Sequence, residues 1–269
     1  MQIAALIQAY KYPELVADLV DRLSTPLWKI YLHIDRKTDI EPFLCLSDRA
    51  VLLKKREKVY WGGANGIKAT LRLLEKAYAD EKNTHFYLMS GQCFPIKSDE
   101  DITAHLQQPG CAGNFMHSDK IPTIYRPLDW WTDWYFMDVR SRYVRSLLYR
   151  LRRFLPKRDV DRLLRGIPLW GGLAFWMLNR EAVGKIIDFT SKSPWYLRAF
   201  KHTLIADEFF FQTAANHLSI PLDGSCPTAT KWTPGKPHPW IITPEILKEF
   251  EAGWHFAARK FESSPRYWN

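Results

Sequence analysis

A chain of 269 residues with 46% apolar and 25% charged residues has ordinary globular composition, enough for a sizeable core and unlike a low-complexity or disordered chain. No apolar run approaches the roughly 18 residues of a membrane span, so a transmembrane helix is not expected. The net charge of +9 favours an anionic partner such as a nucleotide phosphate, a nucleic acid or an acidic bilayer, and the 12 tryptophans suit flat apolar ligand faces as well as core anchors.

The first elements read as strand, helix, strand. "QIAALIQAY" is a nearly continuous apolar run, as a strand buried on both faces should be. "PELVADLVDRL" follows with Leu15, Val16, Leu19, Val20 and Leu23 at helical spacing, and "KIYLHID" reads as the second strand. This βαβ order implies a parallel sheet. "AVLLKKREKVYW" holds another strand or two, "GIKATLRLLEKAYAD" an amphipathic helix, and "THFYLMSG" the next buried strand. "SDEDITAHL" opens a helix with Ser98 as N-cap and Asp101 near a capping-box position. From Phe115 to Trp134 the chain reads as aromatic-rich loops, and residues 140–165 form a basic amphipathic segment broken at Pro156. "LAFWMLN" reads as a strand, while "REAVGKIIDFTS", "ADEFFFQTAANHL" and "PEILKEFEAGWHFAARKF" read as helices. One α/β domain over residues 1–269 is expected, with a nucleotide-binding half at about 1–110 and an acceptor and catalytic half at about 111–269. Cys45, Cys93, Cys111 and Cys226 form no CxxC pair and are expected to be reduced, buried thiols.

Ligands of open α/β sheets sit beyond the carboxyl ends of the strands, where loops and helix N-termini converge. That places His33, Asp35, Lys37, the Trp61–Gly63 turn, Ser90 and the acidic pair Asp207 and Glu208 among the candidates. For Asp35 two readings stay open: a ribose or base contact, or a turn carboxylate paired with Lys37. A second "WGG", Trp170 to Gly172, reads as similar turn chemistry rather than a repeat.

Six blocks, "YLHIDRK", "VYWGGANGIKATLRLL", "FYLMSGQCFPIKS", "WGGLAFWMLNREAV", "IADEFFFQTAANH" and "HFAARKF", occur in an order and at spacings that resemble the core-2/I-branching β-1,6-N-acetylglucosaminyltransferase family, which includes the peptide O-xylosyltransferases. The resemblance runs from Ile3 to Phe261. It implies a GT-A-like fold, a UDP-sugar donor, inversion at the anomeric carbon and no metal cofactor. The residues agree on the last point. A metal-dependent transferase needs a carboxylate cluster such as Asp-x-Asp, and "HIDRK" has Lys37 where the second acid would stand. The departing diphosphate must then be neutralised by cationic side chains.

By the same resemblance Lys260, beside Arg259, contacts the diphosphate. The arginine that the family places about two dozen residues earlier is missing from "KPHPW", which leaves His238 as the candidate. Asp35 and Tyr60 are implied as uracil and ribose contacts, and Trp232 as an aromatic shelf for the acceptor. Asp119 and Arg126 are further acceptor candidates in a divergent stretch. Direct displacement needs one general base, and the family's base is the glutamate of the acidic pair, here Glu208. With a helix starting at Glu208, Asp207 would be its N-cap, the dipole would keep Glu208 ionised, and Phe209, Phe210 and Phe211 would wall the site from water.

The expected activity is therefore an inverting, metal-independent transfer of N-acetylglucosamine or xylose from a UDP-sugar to a glycan or lipid-linked glycan hydroxyl. Two rivals stand beside it: a basic nucleic-acid-binding protein, and a glycan-binding relative without turnover. The clustering of basic residues in one insert, away from the motif blocks, argues against nucleic acid. For residues 140–165, a helix on an anionic bilayer and a surface helix with its apolar side turned inward remain alternatives. With neither anchor nor evident disulfides, the sequence suggests a bacterial-type cytoplasmic enzyme of surface polysaccharide or lipopolysaccharide synthesis, peripheral to the inner membrane face.

Overall fold

The computed structural model of the protein describes residues 1–233, 235–236 and 238–268. In chain order the strands and helices are β1 (Ile3–Ala9), α1 (Pro13–Arg22), β2 (Trp28–Ile34), β3 (Val51–Leu52), α2 (Asn65–Tyr78), β4 (His85–Ser90), β5 (Cys93–Pro95), α3 (Asp99–Leu106), β6 (Asp119–Lys120), α4 (Asp129–Thr132), α5 (Arg142–Leu151), α6 (Val160–Leu164), β7 (Trp170–Gly171), β8 (Met177–Asn179), α7 (Arg180–Lys192), α8 (Pro194–Ala199), α9 (Asp207–His217), β9 (Thr228–Thr230), α10 (Pro244–Glu251) and β10 (Ala257–Arg259).

The central sheet has the order β3-β2-β1-β4-β8, parallel except for β8, which runs antiparallel to β4. It is covered on both faces. Ile3, Ala5, Ile7, Tyr87 and Met89 join the core under α1, while Ala4, Leu6, Phe86 and Leu88 join the core that holds α2, α7 and α9. This is why β1 and β4 read as unbroken apolar runs: successive side chains point to opposite faces, and both faces are dry. A smaller sheet, β5-β10-β9, and the β6-β7 pair extend the carboxyl edge, where the candidate residues gather. The expected α/β class with a mainly parallel sheet is the class observed.

Several elements differ from expectation. Of "AVLLKKREKVYW" only Val51–Leu52 pairs as strand; beyond it, Glu57 donates its N–H to His33 Nε2 at 2.8 Å and accepts from Arg36 N–H at 2.9 Å, which satisfies the backbone outside a ladder. The last helix stops at Glu251, before Gly253, and "AAR" pairs with Pro95–Cys93 and Thr228–Thr230 as a strand. The basic segment breaks at Leu151, ahead of Pro156, passing into a 3-10 turn at Arg152–Phe154. Ser98 caps α3 as expected, accepting from Asp101 N–H at 3.0 Å. All four cysteines are free, but only Cys93 and Cys226 are buried; Cys45 is exposed. No helix among the described residues is long and apolar enough to cross a membrane.

Candidate active site

The centre of the site is the start of α9. The helix begins at Asp207, one residue earlier than expected, and its N-cap position is Ala206, whose side chain cannot cap. Asp207 is therefore not the cap. Its Oδ1 is buried without a hydrogen-bond partner, and burial raises its pKa. The three phenylalanines do not wall a cleft either. Consecutive helical residues are about 100° apart, so three of them cannot share one face, and here every face is protein. Phe209 meets Trp130 and Trp131, Phe210 meets Tyr196 and Phe200, and Phe211 meets Trp176.

Glu208, in the first turn, faces Arg126. Arg126 Nη2 and Nε donate to Glu208 Oε2 at 2.8 and 3.1 Å, and Nη2 also donates to the Gly172 carbonyl at 2.9 Å. Arg126, expected to contact the acceptor, is thus held on the candidate base itself. Burial lifts the Glu208 pKa to about 7, against the pull of Arg126, with Asp207 adding to the rise and Arg259 opposing it. The carboxyl expected to stay ionised is instead raised toward neutrality, because desolvation outweighs the pull of Arg126 and Arg259. A carboxylate near neutrality is suited to accept a proton and release it again.

Arg126→Met should move this balance. Removing the cation disfavours the carboxylate, so the acid limb of kcat/KM should shift to higher pH by about one unit or more. A pH–rate profile measures it, and an unmoved limb would show that Arg126 does not govern the group.

Both "WGG" turns press on this segment. Gly62, at φ 72°, accepts from Ile205 N–H through its carbonyl at 2.9 Å, and Glu208 N–H in turn donates to the Ile205 carbonyl at 3.0 Å. On the other side Gly172 N–H donates to the Glu208 carbonyl at 2.8 Å. Gly172 passes so close to His117 that an added Cβ would lie 1.7 Å from that carbonyl oxygen. At Gly63 a Cβ would lie 2.3 Å from Asp138 Oδ1, which also accepts from Asn65 N–H at 3.4 Å. The recurrence that reads as ordinary turn chemistry brackets the base from two sides.

The positive charge expected for a diphosphate is assembled at the end of β10. Arg259 donates to Ser90 Oγ at 2.6 Å and lies 4.7 Å over the Phe175 ring. Lys260 is largely covered, 3.9 Å from Glu262, and its pKa is lowered by burial and then by nearby Lys11 and Arg259. Crowded cations with incomplete neutralisation make a favourable place for an anion.

Asp35, at the end of β2, is ion-paired with Lys37. Its Oδ2 accepts from Lys37 Nζ at 2.7 Å and its Oδ1 from Lys37 N–H at 2.9 Å, while Nζ lies 4.6 Å over the Tyr60 ring. Asp35, Lys37 and Tyr60 are thus one cluster. Neighbouring His33 is pushed down to about 4 by desolvation and serves as a neutral acceptor. Among the described residues, no group of three or more His, Cys, Asp or Glu gathers as metal ligands would.

The loop after β9 crosses toward the first turn. Exposed Trp232 donates through Nε1 to Thr230 Oγ1 at 3.1 Å, and the His238 ring stands edge-on to exposed Trp61 at 6.4 Å. Ile242 N–H donates to the Lys260 carbonyl at 2.9 Å, tying the loop to the cationic end. Asp119, in β6, is 3.4 Å from His117 Nε2 and paired across the ladder with Gly171. The sequence offered no sign of Asp138 or of the Gly172 carbonyl, because their partners are distant in the chain.

A half-buried carboxylate of near-neutral pKa and a cationic strand end thus stand within electrostatic reach of each other at the carboxyl edge of a parallel sheet, the setting of a group-transfer enzyme. The chain belongs to the Core-2/I-branching enzyme family, whose model matches residues 14–254, and this makes it a glycosyltransferase, here on a mixed α/β fold with a mainly parallel sheet. No curated protein matches it in sequence. Solved structures similar to it include a mannose-1-phosphate geranyltransferase from Thermus thermophilus (14% identity, 80% of this chain and 68% of that one, TM-score 0.37). A 4-diphosphocytidyl-2C-methyl-D-erythritol synthase is similar at 11% identity, over 94% of this chain and 99% of that one, with TM-score 0.42. S. aureus TarS 1-349 in complex with UDP is similar at 10% identity, over 75% and 55%, with TM-score 0.38.

Proposed function

We propose that the protein is an inverting, metal-independent glycosyltransferase that moves N-acetylglucosamine or xylose from a UDP-sugar to a hydroxyl of a glycan or lipid-linked glycan, in surface polysaccharide or lipopolysaccharide synthesis in the cytoplasm. The observation that carries this reading is Glu208, a half-buried carboxylate of pKa about 7, oriented by Arg126 and lying within electrostatic reach of Arg259. The acceptor hydroxyl attacks the anomeric carbon while Glu208 takes its proton. The bond from that carbon to the diphosphate oxygen breaks, and its electron pair leaves with UDP. Lys260 and Arg259 stabilise the charge developing on that oxygen, the role a divalent cation fills in metal-dependent transferases.

Exposed Trp61 and Trp232 offer apolar planes to the sugar faces, and the cluster of Asp35, Lys37 and Tyr60 offers ribose and base contacts. His238, edge-on to Trp61 in the loop that Ile242 ties to Lys260, is the further candidate for a diphosphate contact.

A thermal-shift panel of nucleotide sugars tests donor class and metal independence together. UDP compounds should raise the melting temperature by about 5–10 °C when present at about 100 times their Kd, and EDTA should not abolish the rise. Stabilisation that vanishes on chelation, or that favours nucleotides other than uridine, would contradict the proposal.

A further inference from the structure

The amphipathic segment from Arg140 to Lys157 presents its apolar side outward. No residue of α5 is buried. Tyr143, Val144, Leu147 and Leu151, which share one side of the helix at 3.6 residues per turn, are 86, 46, 56 and 45% exposed, and Phe154 just beyond is 71% exposed. The inward-packed alternative therefore fails for residues 140–157, where the helix turns only half-buried Leu148 and Arg145 to the protein, and holds for α6, whose Leu164 is buried in the core.

The chemistry flanking this face is one-sided. Residues 140–157 contain seven Lys or Arg and no Asp or Glu. Arg152 is used inward, 4.4 Å from the centre of the Tyr135 ring and 3.9 Å from Asp133, to which Lys157 is also paired. Arg140, Arg142, Arg145, Arg150 and Arg153 make no ion pair among the described residues. A second copy of the chain would set these like charges against each other. A nucleic acid would satisfy the arginines and leave the leucine and phenylalanine side chains in water. An anionic bilayer satisfies both, phosphates meeting the guanidinium groups and acyl chains the apolar face.

We propose that this face docks the protein on an anionic phospholipid surface, with α5 lying in the plane of the interface. Its ten residues span about 15 Å, half of what crossing would need. The helix is firmly mounted: Trp134 Nε1 donates to the Pro156 carbonyl at 2.8 Å, and Arg158 N–H to the Thr132 carbonyl at 2.7 Å. The stretch that anchors it, α4, begins three residues after Arg126, and Ile124 and Tyr125 just before that arginine are 95 and 78% exposed. The docking face and the loop that orients Glu208 therefore belong to one connected stretch of chain. This assignment does not depend on which sugar is moved.

The test is flotation of the full chain with phosphatidylcholine vesicles, with and without about one-third phosphatidylglycerol, at low and high salt. Wild type should float with the anionic vesicles and bind about tenfold or more weakly to neutral ones or in about 0.5 M salt. Leu147→Glu with Phe154→Glu should lose about tenfold or more of the anionic-vesicle binding, because apolar burial is removed and like charge added. Both positions are exposed, so an unchanged melting temperature will confirm that the variant is folded. Each of these outcomes would overturn the proposal: no flotation of wild type, flotation of the double variant equal to wild type, or tighter binding to a single-stranded DNA oligonucleotide that the double substitution leaves intact. A self-association abolished by the same substitutions would assign the face to a second copy and likewise overturn it.

Discussion

Glu208→Gln is expected to bind UDP as wild type does, yet to transfer sugar slower by about 10²-fold or more, the usual loss when a general base is removed. The substitution keeps the shape of the side chain and leaves an amide oxygen that can accept from Arg126, so positioning survives while proton acceptance does not. The pH profile separates this role from a structural one. With the Glu208 pKa at about 7, the base is increasingly protonated below neutrality, so wild-type kcat/KM should fall about tenfold per pH unit on the acid side and level off above. The residual rate of the glutamine variant should lack that limb. Undiminished turnover, or an acid limb retained in the variant, would remove Glu208 from the mechanism.

Gly172→Ala should be the most damaging of the glycine-to-alanine changes. Its Cβ would stand 1.7 Å from the His117 carbonyl oxygen, a backbone atom that cannot swing aside as a side-chain tip could. The turn must move, and with it both the carbonyl that accepts from Arg126 and the N–H that binds the Glu208 carbonyl. Overpacking of this kind costs about 1–3 kcal/mol, which for a chain of this size lowers the melting temperature by roughly 2–12 °C. Displacing a catalytic group by about 1 Å can cost about 10²-fold in rate. Gly66→Ala is the matched control: that glycine lies in α2, with only ordinary van der Waals contact waiting for a methyl, and alanine favours a helix by about 1 kcal/mol. Equal melting temperatures for Gly172→Ala and wild type would show that the turn is pliant.

The sequence carried the long parallel strands because a strand dry on both faces is apolar throughout, as β1 is. It carried Ser98 as a cap because capping is a local bond. It did not carry β10. Ala257 and Ala258 suit a helix by propensity, and only pairing with Pro95 and Phe94 on one side and Thr228 and Ala229 on the other makes them strand. The glutamate at 208 was legible by resemblance, but its ionisation was not, since burial is a property of the fold. Nor was its partnership with Arg126, 82 residues away. For Asp35 the neighbour two residues on was already in view, and the ion pair with Lys37 is the simpler of the two readings.

The two glycine turns have one further consequence. Gly62 is bonded to Ile205 and Gly172 to Glu208, so the glutamate peptide is clamped between a turn that follows β3 and one that leads to β8. Prising these two regions apart would tear at least one of those bonds and drag the base with it. Any motion of these regions that admits a ligand must therefore leave this clasp fastened or displace Glu208 with it.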